Sequence, residues 1–526
     1  MTRIDIYDTT LRDGTQGLGF VLSLEEKLQI LIKLDEIGVD YVEGGFPLSN
    51  PKEIEFFKAA KSLSLKNTKL AAFGMTRKKG FLPEDDAGMR ALIEAETPVV
   101  TVVGKTWVFH VREVLGVSKH ENISMISDSI KYLSKQGRNV IYDAEHFFDG
   151  YREDPVYAIK TLEVAMDAGA DIVVLCDTNG GTLYYDLRVI LEEIVGALPS
   201  INFGIHTHND CGFAVSNTLE GVRCGAIQVQ GTINGVGERC GNVDLIAVIA
   251  NLGLKMGYEV MKGNHSIKRL TELSRFVDRI ASRDSNHSQS FVGRGAFSHK
   301  GGMHAHAVLK NVSTYEHMPP ESVGNERNII IGELSGISGI NDRISKQIGI
   351  NKIDKNFARL VLEEVSRLEY QGYVFEHAEA SLELLIRRII GNNKLHFTLK
   401  CYQCDTTYDA ICPNTKLDVT IDIDGDTYNG TSEDMDVLAS FENAVRNALT
   451  NKFPCVSETR HYNINIKWIK QRKNSRKIVR VVTDFTDDDG GLWTTMSIGQ
   501  DVLHAFSRSI VEGFQYKIFK WENNNA

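Results

Sequence analysis

Short apolar and β-branched runs alternate with longer stretches of helical period through the first 256 residues. The runs are IDIYDTT (4–10), YVEGGF (41–46), KLAAFGM (69–75), VVTVVGK (99–105), NVIYDAEHF (139–147), DIVVLCDT (171–178), INFGIHTHND (201–210) and IQVQGTINGVG (227–237), eight in all. Between them the pattern turns amphipathic. In SLEEKLQILIKLDEIG (23–38), Leu24, Leu28, Leu31 and Leu34 share one helical face. Ser23 with Glu26 reads as a capping box, and Gly38 as the stop. Eight strand-then-helix units in about 250 residues predict a TIM (β/α)8 barrel. An open doubly wound sheet shows the same alternation. Closure is favoured because polar residues gather at the C-terminal ends of the runs: Arg12 and Asp13, Glu43, Lys105, Glu145, Thr178, His206 and His208, then Asn234 and Glu238. In a barrel those ends meet on one face.

Beyond residue 256 the pattern changes to helices separated by Gly- and Pro-bearing loops, and strand character returns near 395. The tail holds an internal repeat: Ser432, Asp436, Val437, Leu438 and Phe441 recur as Ser497, Asp501, Val502, Leu503 and Phe506, each set after an acidic-Gly turn. The expected organisation is a barrel over 1–270, a helical connecting region over 271–390 and a C-terminal α+β domain over 391–526.

Composition narrows the class. Hydrophobic residues at 42% and charged residues at 24% are ordinary for a globular chain, and a net charge of −10 gives no broad basic surface for nucleic acid. No stretch is long and apolar enough to span a bilayer, and the N-terminus lacks a basic region followed by an apolar one, so a cytoplasmic protein is expected. The cysteines at 176, 211, 224, 240, 401, 404, 412 and 455 are scattered, unlike a secreted disulfide framework. Cys401, Cys404 and Cys412 could seed a zinc site, but no second pair completes one, and strand thiols are the better reading.

Candidate chemistry centres on His206 and His208. On a strand, residues i and i+2 point to one side with Cα atoms about 6.6 Å apart, so both imidazoles can reach one ion. Asp13 supplies a carboxylate if the barrel closes. An H-x-H pair can equally end a strand by hydrogen bonding alone. The glycines of NGVGERCGN (234–242) do not match a dinucleotide fingerprint and fit close backbone approach at a barrel rim instead.

DTTLRDGTQ (8–16), HTHND (206–210) and NGVGERCGN closely resemble the signatures of the 2-isopropylmalate synthase, homocitrate synthase and citramalate synthase family. VGKTWVFHV (103–111), YDAEHFFDGY (142–151) and GNERNIIIGELSGISGI (324–340) look most like the citramalate synthase branch. The resemblance implies a divalent ion (Mn2+, Mg2+ or Zn2+) on Asp13, His206 and His208, with Asn242 completing the protein ligands. It implies acetyl-CoA and pyruvate as substrates of a Claisen-type condensation, bound with help from Arg12, Asp13, Gln16, Tyr142 and Thr178. Arg12, Glu145, His304 and Tyr315 take the catalytic roles, His304 matching the family position better than its neighbours His299 and His306. Phe73, Met75, Val103 and Tyr142 are expected to line the keto-acid pocket. The tail resembles the family's regulatory domain, which implies an isoleucine effector and a homodimer or higher oligomer. The rivals are 2-isopropylmalate or homocitrate synthesis, and a lyase running in the opposite direction.

Overall fold

The computed structural model describes residues 2–262, 267–330, 340, 354–391, 395–408, 413–470, 477–488 and 490–525. They form two compact units, one of residues 1–297 with 318–326 and one of residues 298–317 with 327–526.

The first unit is a closed parallel barrel. Its strands are β1 (Arg3–Asp8), β2 (Tyr41–Gly45), β3 (Lys69–Met75), β4 (Val99–Lys105), β5 (Asn139–Glu145), β6 (Ile172–Asp177), β7 (Phe203–Thr207) and β8 (Gln228–Gly231). Each pairs with the next, and β1 closes the ring by pairing with β8 at Asp5↔Gln228 and with β2 at Tyr7↔Tyr41. An open sheet is thereby ruled out. A two-residue strand, β9 (Glu259–Val260), pairs with Arg3 and Ile4 of β1.

Alternation along the strands divides the core in two. Tyr7, Ala71, Val99, Ile141, Ile172, Val174 and Cys176 fill the interior of the barrel. The larger apolar core lies between the strands and the surrounding helices. The helix Leu24–Ile37 starts as its sequence predicts: Ser23 accepts from the Glu26 N–H, and the Glu26 carboxylate accepts from the Ser23 N–H at 2.6 Å. It ends at Gly38, whose φ of 91° and approach to the Lys262 carbonyl, 2.1 Å from a built Cβ, leave room for no side chain. A buried ion pair between Lys27 and Glu53 (2.7 Å) joins this helix to the next, Pro51–Ala60.

In the second unit, β10 (Ser298–His299) pairs with β11 (Asn328–Ile329), and helices run over Gly302–Lys310, Lys355–Gln371 and Glu379–Ile390. Strands β12 (Thr398–Tyr408), β13 (Pro413–Ile423) and β14 (Asp426–Asp434) form one antiparallel sheet, followed by the helix Val437–Leu449. Strands β15 (Arg460–Lys470), β16 (Lys477–Thr486) and β17 (Leu492–Gly499) form another, followed by the helix Val502–Asn525. Leu417, Val419, Ile421 and Ile423 of β13 are buried, with polar residues between them. Asp436 and Asp501 cap the two helices, accepting from the N–H groups of Leu438 (2.9 Å) and His504 (2.8 Å). The Phe441 and Phe506 rings meet at 6.3 Å.

Cys401 and Cys404 stand three apart on β12 and so face opposite sides; both are free thiols, and Cys412 lies outside the described residues. Most of the segment 331–340 also lies outside them. Among the described residues no helix is long and apolar enough to cross a membrane.

Candidate active site

Strand β1 ends at Asp8, so Asp13 sits in the turn beyond it. The Asp8 carboxylate accepts from the Thr10 N–H (3.0 Å) and hydroxyl (2.8 Å), and Thr9 donates to the Gly231 carbonyl at the end of β8. These bonds fold the turn so that Arg12 and Asp13 come back over the mouth of the barrel. Arg12 is held on three sides. Its Nε donates to Glu43 (2.5 Å), its Nη1 pairs with Asp13, and its guanidinium lies 3.9 Å over the Phe73 ring. Glu43 is fully buried and also accepts from the Tyr7 hydroxyl at 2.9 Å.

Around Asp13 the expected metal ligands come together. His206 Nε2 lies 3.5 Å from Asp13 Oδ2 and 3.0 Å from the Asn242 amide, whose Nδ2 is 3.4 Å from the same carboxylate oxygen. Atoms that share one ion at about 2.1 Å stand about 3 Å or slightly more apart, so these separations suit a common ion. His208, one residue beyond β7, faces the same side, its ring centroid 5.3 Å from that of His206. Among the described residues no three His, Cys, Asp or Glu side chains form a ready ion cage, for Asp13 is turned toward Arg12 and the fourth partner is an amide. Among the described residues, two buried atoms here lack any hydrogen-bond partner: Asn242 Oδ1 and His208 Nδ1. A half-turn of the Asn242 amide brings its oxygen toward His206 and Asp13. The donor set fits a divalent ion on imidazole nitrogen, carboxylate and amide oxygen.

Electrostatics agree with that use. Burial lowers the His206 imidazole below its usual range against the pull of Asp13, and burial with the neighbouring His206 brings His208 down to about 3, so both rings are neutral near pH 7. Burial works to raise Asp13, but Arg12 and the two imidazoles outweigh it and hold the carboxyl below its usual value. Asp8 goes the other way, pushed up to about 7 by burial against its Thr10 hydrogen bonds.

The loop 234–242 approaches the site as closely as its glycines suggest. A Cβ on Gly237 would lie 2.0 Å from Asn242 Oδ1, and one on Gly241 2.0 Å from the Gly235 carbonyl. His208 and Asn242 form an antiparallel bridge, and Arg239 clamps Asp210 (2.8 Å) and the Thr178 carbonyl (2.7 Å).

Glu145, at the end of β5, pairs with Lys105 at the end of β4. Thr178 accepts from the His146 N–H at 2.9 Å, where His146 takes a left-handed φ of 55°. Gln16 is exposed on the β1 turn. Tyr142 requires correction: it is buried on the outer face of β5, packed toward Ile126, Tyr157 and Thr161 of the helical shell. The strand period puts Ile141, Asp143 and Glu145 inside instead, and Asp143 rather than Tyr142 faces the interior. Val103 pairs in register with Asp143, Phe73 lies under Arg12, and Met75 is 42% exposed. In the second unit the His304 and Tyr315 rings meet at 4.2 Å, whereas His299 is engaged by Glu316 at 3.1 Å, itself paired with Arg327.

Sequence reasoning missed Asp143 and Gln230. The Gln230 amide bonds His206 Nδ1 at 2.9 Å and donates to Asp143 at 3.4 Å. Their signal was available as polar residues at alternate positions of strands otherwise apolar: Asp143 with Glu145 on β5, Gln228 with Gln230 on β8.

Comparison with known proteins agrees with these features. Residues 3–277 match the HMGL-like family and residues 291–371 the homocitrate synthase post-HMGL domain-like family. A protein of Aquifex aeolicus described as (R)-citramalate synthase is 41% identical, covering 99% of this chain and 98% of its own. One of Geobacter sulfurreducens with the same description is 40% identical, over 99% of both chains. A 2-isopropylmalate synthase of Methanocaldococcus jannaschii is 35% identical over 74% of this chain and 72% of its own. The (R)-citramalate synthases thus match over nearly the whole chain, whereas the 2-isopropylmalate synthase matches about three quarters of it. With its closed barrel, its Arg12–Asp13 turn and its facing imidazoles, the chain belongs to the HMGL-like family and, within it, to the (R)-citramalate synthases.

Proposed function

We propose that this chain condenses acetyl-CoA with pyruvate and water to give (R)-citramalate and CoA, in the cytoplasm and on a route to isoleucine. The observation that supports this most is the full-length similarity to (R)-citramalate synthases together with the convergence of Arg12, Asp13, His206 and Asn242 at the barrel mouth. Asp13, His206, His208 and Asn242 would hold the divalent ion, which would supply Lewis-acid polarisation of the C2 carbonyl of an α-keto acid. Mn2+, Mg2+ and Zn2+ all suit these ligands.

The protein's own groups then do the rest. Arg12, fixed by Glu43, Asp13 and Phe73, presents a rigid positive charge to the alkoxide that develops as the new carbon–carbon bond forms. A base must take a proton from the acetyl methyl group. His304 is the histidine assigned to it, with Tyr315 beside it, because His299 is already bound by Glu316. Glu145 and Thr178 orient the acetyl group or the water that releases CoA, Gln16 borders the substrate on the β1 turn, and Phe73 and Val103 limit the keto-acid side chain. These roles divide the chain into a catalytic barrel (1–270), a connector that contributes His304 and Tyr315 (271–390) and a regulatory domain (391–526).

Isoleucine is the proposed effector. A cavity of about 730 Å³ in the second unit, lined by apolar residues such as Leu384, Phe397 and Val511 with Arg388, Arg508 and Glu512 among its polar ones, supports an amphiphilic zwitterion. The chain is proposed to act as a homodimer or higher oligomer, which light scattering tests.

The function is tested by CoA release with pyruvate, 2-oxobutyrate, 2-oxoisovalerate and 2-oxoglutarate. Pyruvate is expected to be preferred. A clear preference for 2-oxoisovalerate overturns the substrate assignment.

A further inference from the structure

The interior of the barrel beneath the four proposed ligands is polar, which is unusual for a space that branched apolar side chains normally fill. Gln228, Gln230, Thr101 and Asp143 are all 3% exposed or less. Gln230 stands at the centre. One end of its amide meets His206 Nδ1 at 2.9 Å, while the other end faces Gln228 Oε1 at 3.3 Å and Asp143 Oδ1 at 3.4 Å.

A primary amide has one accepting end and one donating end. With Gln228 set so that its Oε1 faces Gln230 and its Nε2 is left without a partner among the described residues, two oxygens, from Gln228 and Asp143, meet the same end of Gln230, and that end is the NH2 group. The carbonyl is left to face His206, and it can accept only if Nδ1 carries the proton. His206 Nε2, directed at Asp13 and Asn242, then keeps its lone pair. His208 has no such device: its Nδ1 is buried without a partner.

We infer that Gln230, oriented by Gln228 and Asp143, is a positioning residue that fixes the tautomer and ring plane of His206 so that Nε2 is ready to ligate the ion. The inference rests on the proposal that this site holds a divalent metal. It makes the two histidines unequal: His206 is preset, and His208 settles on binding. Oriented outer partners of this kind typically change metal affinity about 10- to 100-fold when removed.

The test measures Mn2+ affinity by competition with a fluorescent chelator, so it does not depend on which keto acid is turned over. Gln230→Leu, similar in volume but without either polar end, is expected to bind Mn2+ about 10- to 100-fold more weakly. Gln230→Glu keeps an acceptor for Nδ1 but loses the donating end that Gln228 and Asp143 orient, and is expected to bind Mn2+ more tightly than Gln230→Leu and more weakly than the parent. In parallel, nitrogen NMR of metal-free parent protein labelled at histidine, with His206 assigned by its loss in His206→Gln, should show a protonated Nδ1. That measurement decides the matter even if the Leu variant does not fold. Unchanged Mn2+ affinity in a folded Gln230→Leu protein, or a protonated Nε2 in the parent, overturns the inference and leaves the proposed function standing. Absence of Mn2+, Mg2+ and Zn2+ binding by the parent overturns the metal site and the inference together.

Discussion

Arg12 shows how much a single side chain can be constrained before any substrate arrives. Burial by itself would lower its pKa, but Asp13 and Glu43 outweigh that and raise it, so the charge is permanent at working pH. Its proposed task is to face negative charge that exists only near the transition state, and Arg12→Gln should therefore lower kcat about 10²- to 10³-fold while Mn2+ affinity falls much less. A steady-state assay beside a metal titration separates the two effects. Asp8 makes a different prediction. Its folded pKa of about 7 lies above the ordinary aspartate value, so the folded state holds a proton that the unfolded chain gives up. Its contribution is fully present below about pH 4 and is lost as pH rises toward 7, at no more than about 1.4 kcal/mol per pH unit. Asp8→Asn should abolish that part of the slope, so the difference in unfolding free energy between variant and parent should grow from pH 4 to pH 7. The approach of His206 to Asp13 was expected from residue type and spacing, and the two lie 3.5 Å apart. Glu43 stood out as a strand-end acid, but its grip on Arg12 was not visible, because that contact depends on how the β1 turn folds back.

At the level of elements, the strands were legible because short apolar runs recur with amphipathic stretches between them; the helix Leu245–Leu254 is just as apolar as any strand, so the alternation carried the reading and no single run did. Their ends were overextended: the runs read as 4–10 and 227–237 contain strands that stop at Asp8 and Gly231, and the remaining residues begin the loops that lead to Arg12, Asp13 and Asn242. Tyr142 was misplaced for a related reason. A period of two says which residues share a face but not which face is inside, and on β5 the choice fell to Ile141, Asp143 and Glu145. The glycine-rich loop after β8 now has a structural account at Gly237, where φ is 157° and a methyl group would strike Asn242 Oδ1. Gly237→Ala should displace the Asn242 side chain and weaken Mn2+ binding at least tenfold, at a stability cost of about 1–3 kcal/mol. Calorimetry and chelator competition on the same sample test both numbers, and a variant that binds Mn2+ as the parent does would count against Asn242 as a ligand.

For the whole molecule, the order of barrel, then helices, then strands was readable from changes of period along the chain, whereas the compact units were not. Residues 318–326 belong with the barrel although the residues on both sides of them belong to the second unit, a return of the chain that leaves no mark in composition. The cavity in the second unit was equally hidden, since it gathers Arg388, Phe397 and Arg508 from separate elements. If isoleucine binds there, it stabilises the folded chain in proportion to occupancy, by about 2.7 kcal/mol at a hundred times its dissociation constant. A thermal shift with isoleucine that is absent in Arg508→Ala, accompanied by loss of inhibition in the same variant, is the expected result; a shift retained in Arg508→Ala would place the effector elsewhere.

The seam at which the barrel closes gives the protein a history. Strand β1 leaves the ribosome ahead of the other barrel strands, yet one of its two barrel neighbours is β8, more than two hundred residues later, where Asp5 meets Gln228. Synthesis at ~5–20 residues per second puts roughly ten to forty seconds between those two events. Throughout that interval β1 has an unpaired edge and the turn bearing Arg12 and Asp13 lacks its anchor at the Gly231 carbonyl. The catalytic mouth is thus a late product of translation, and a nascent chain halted before residue 231 carries the first half of the site with nothing to close it.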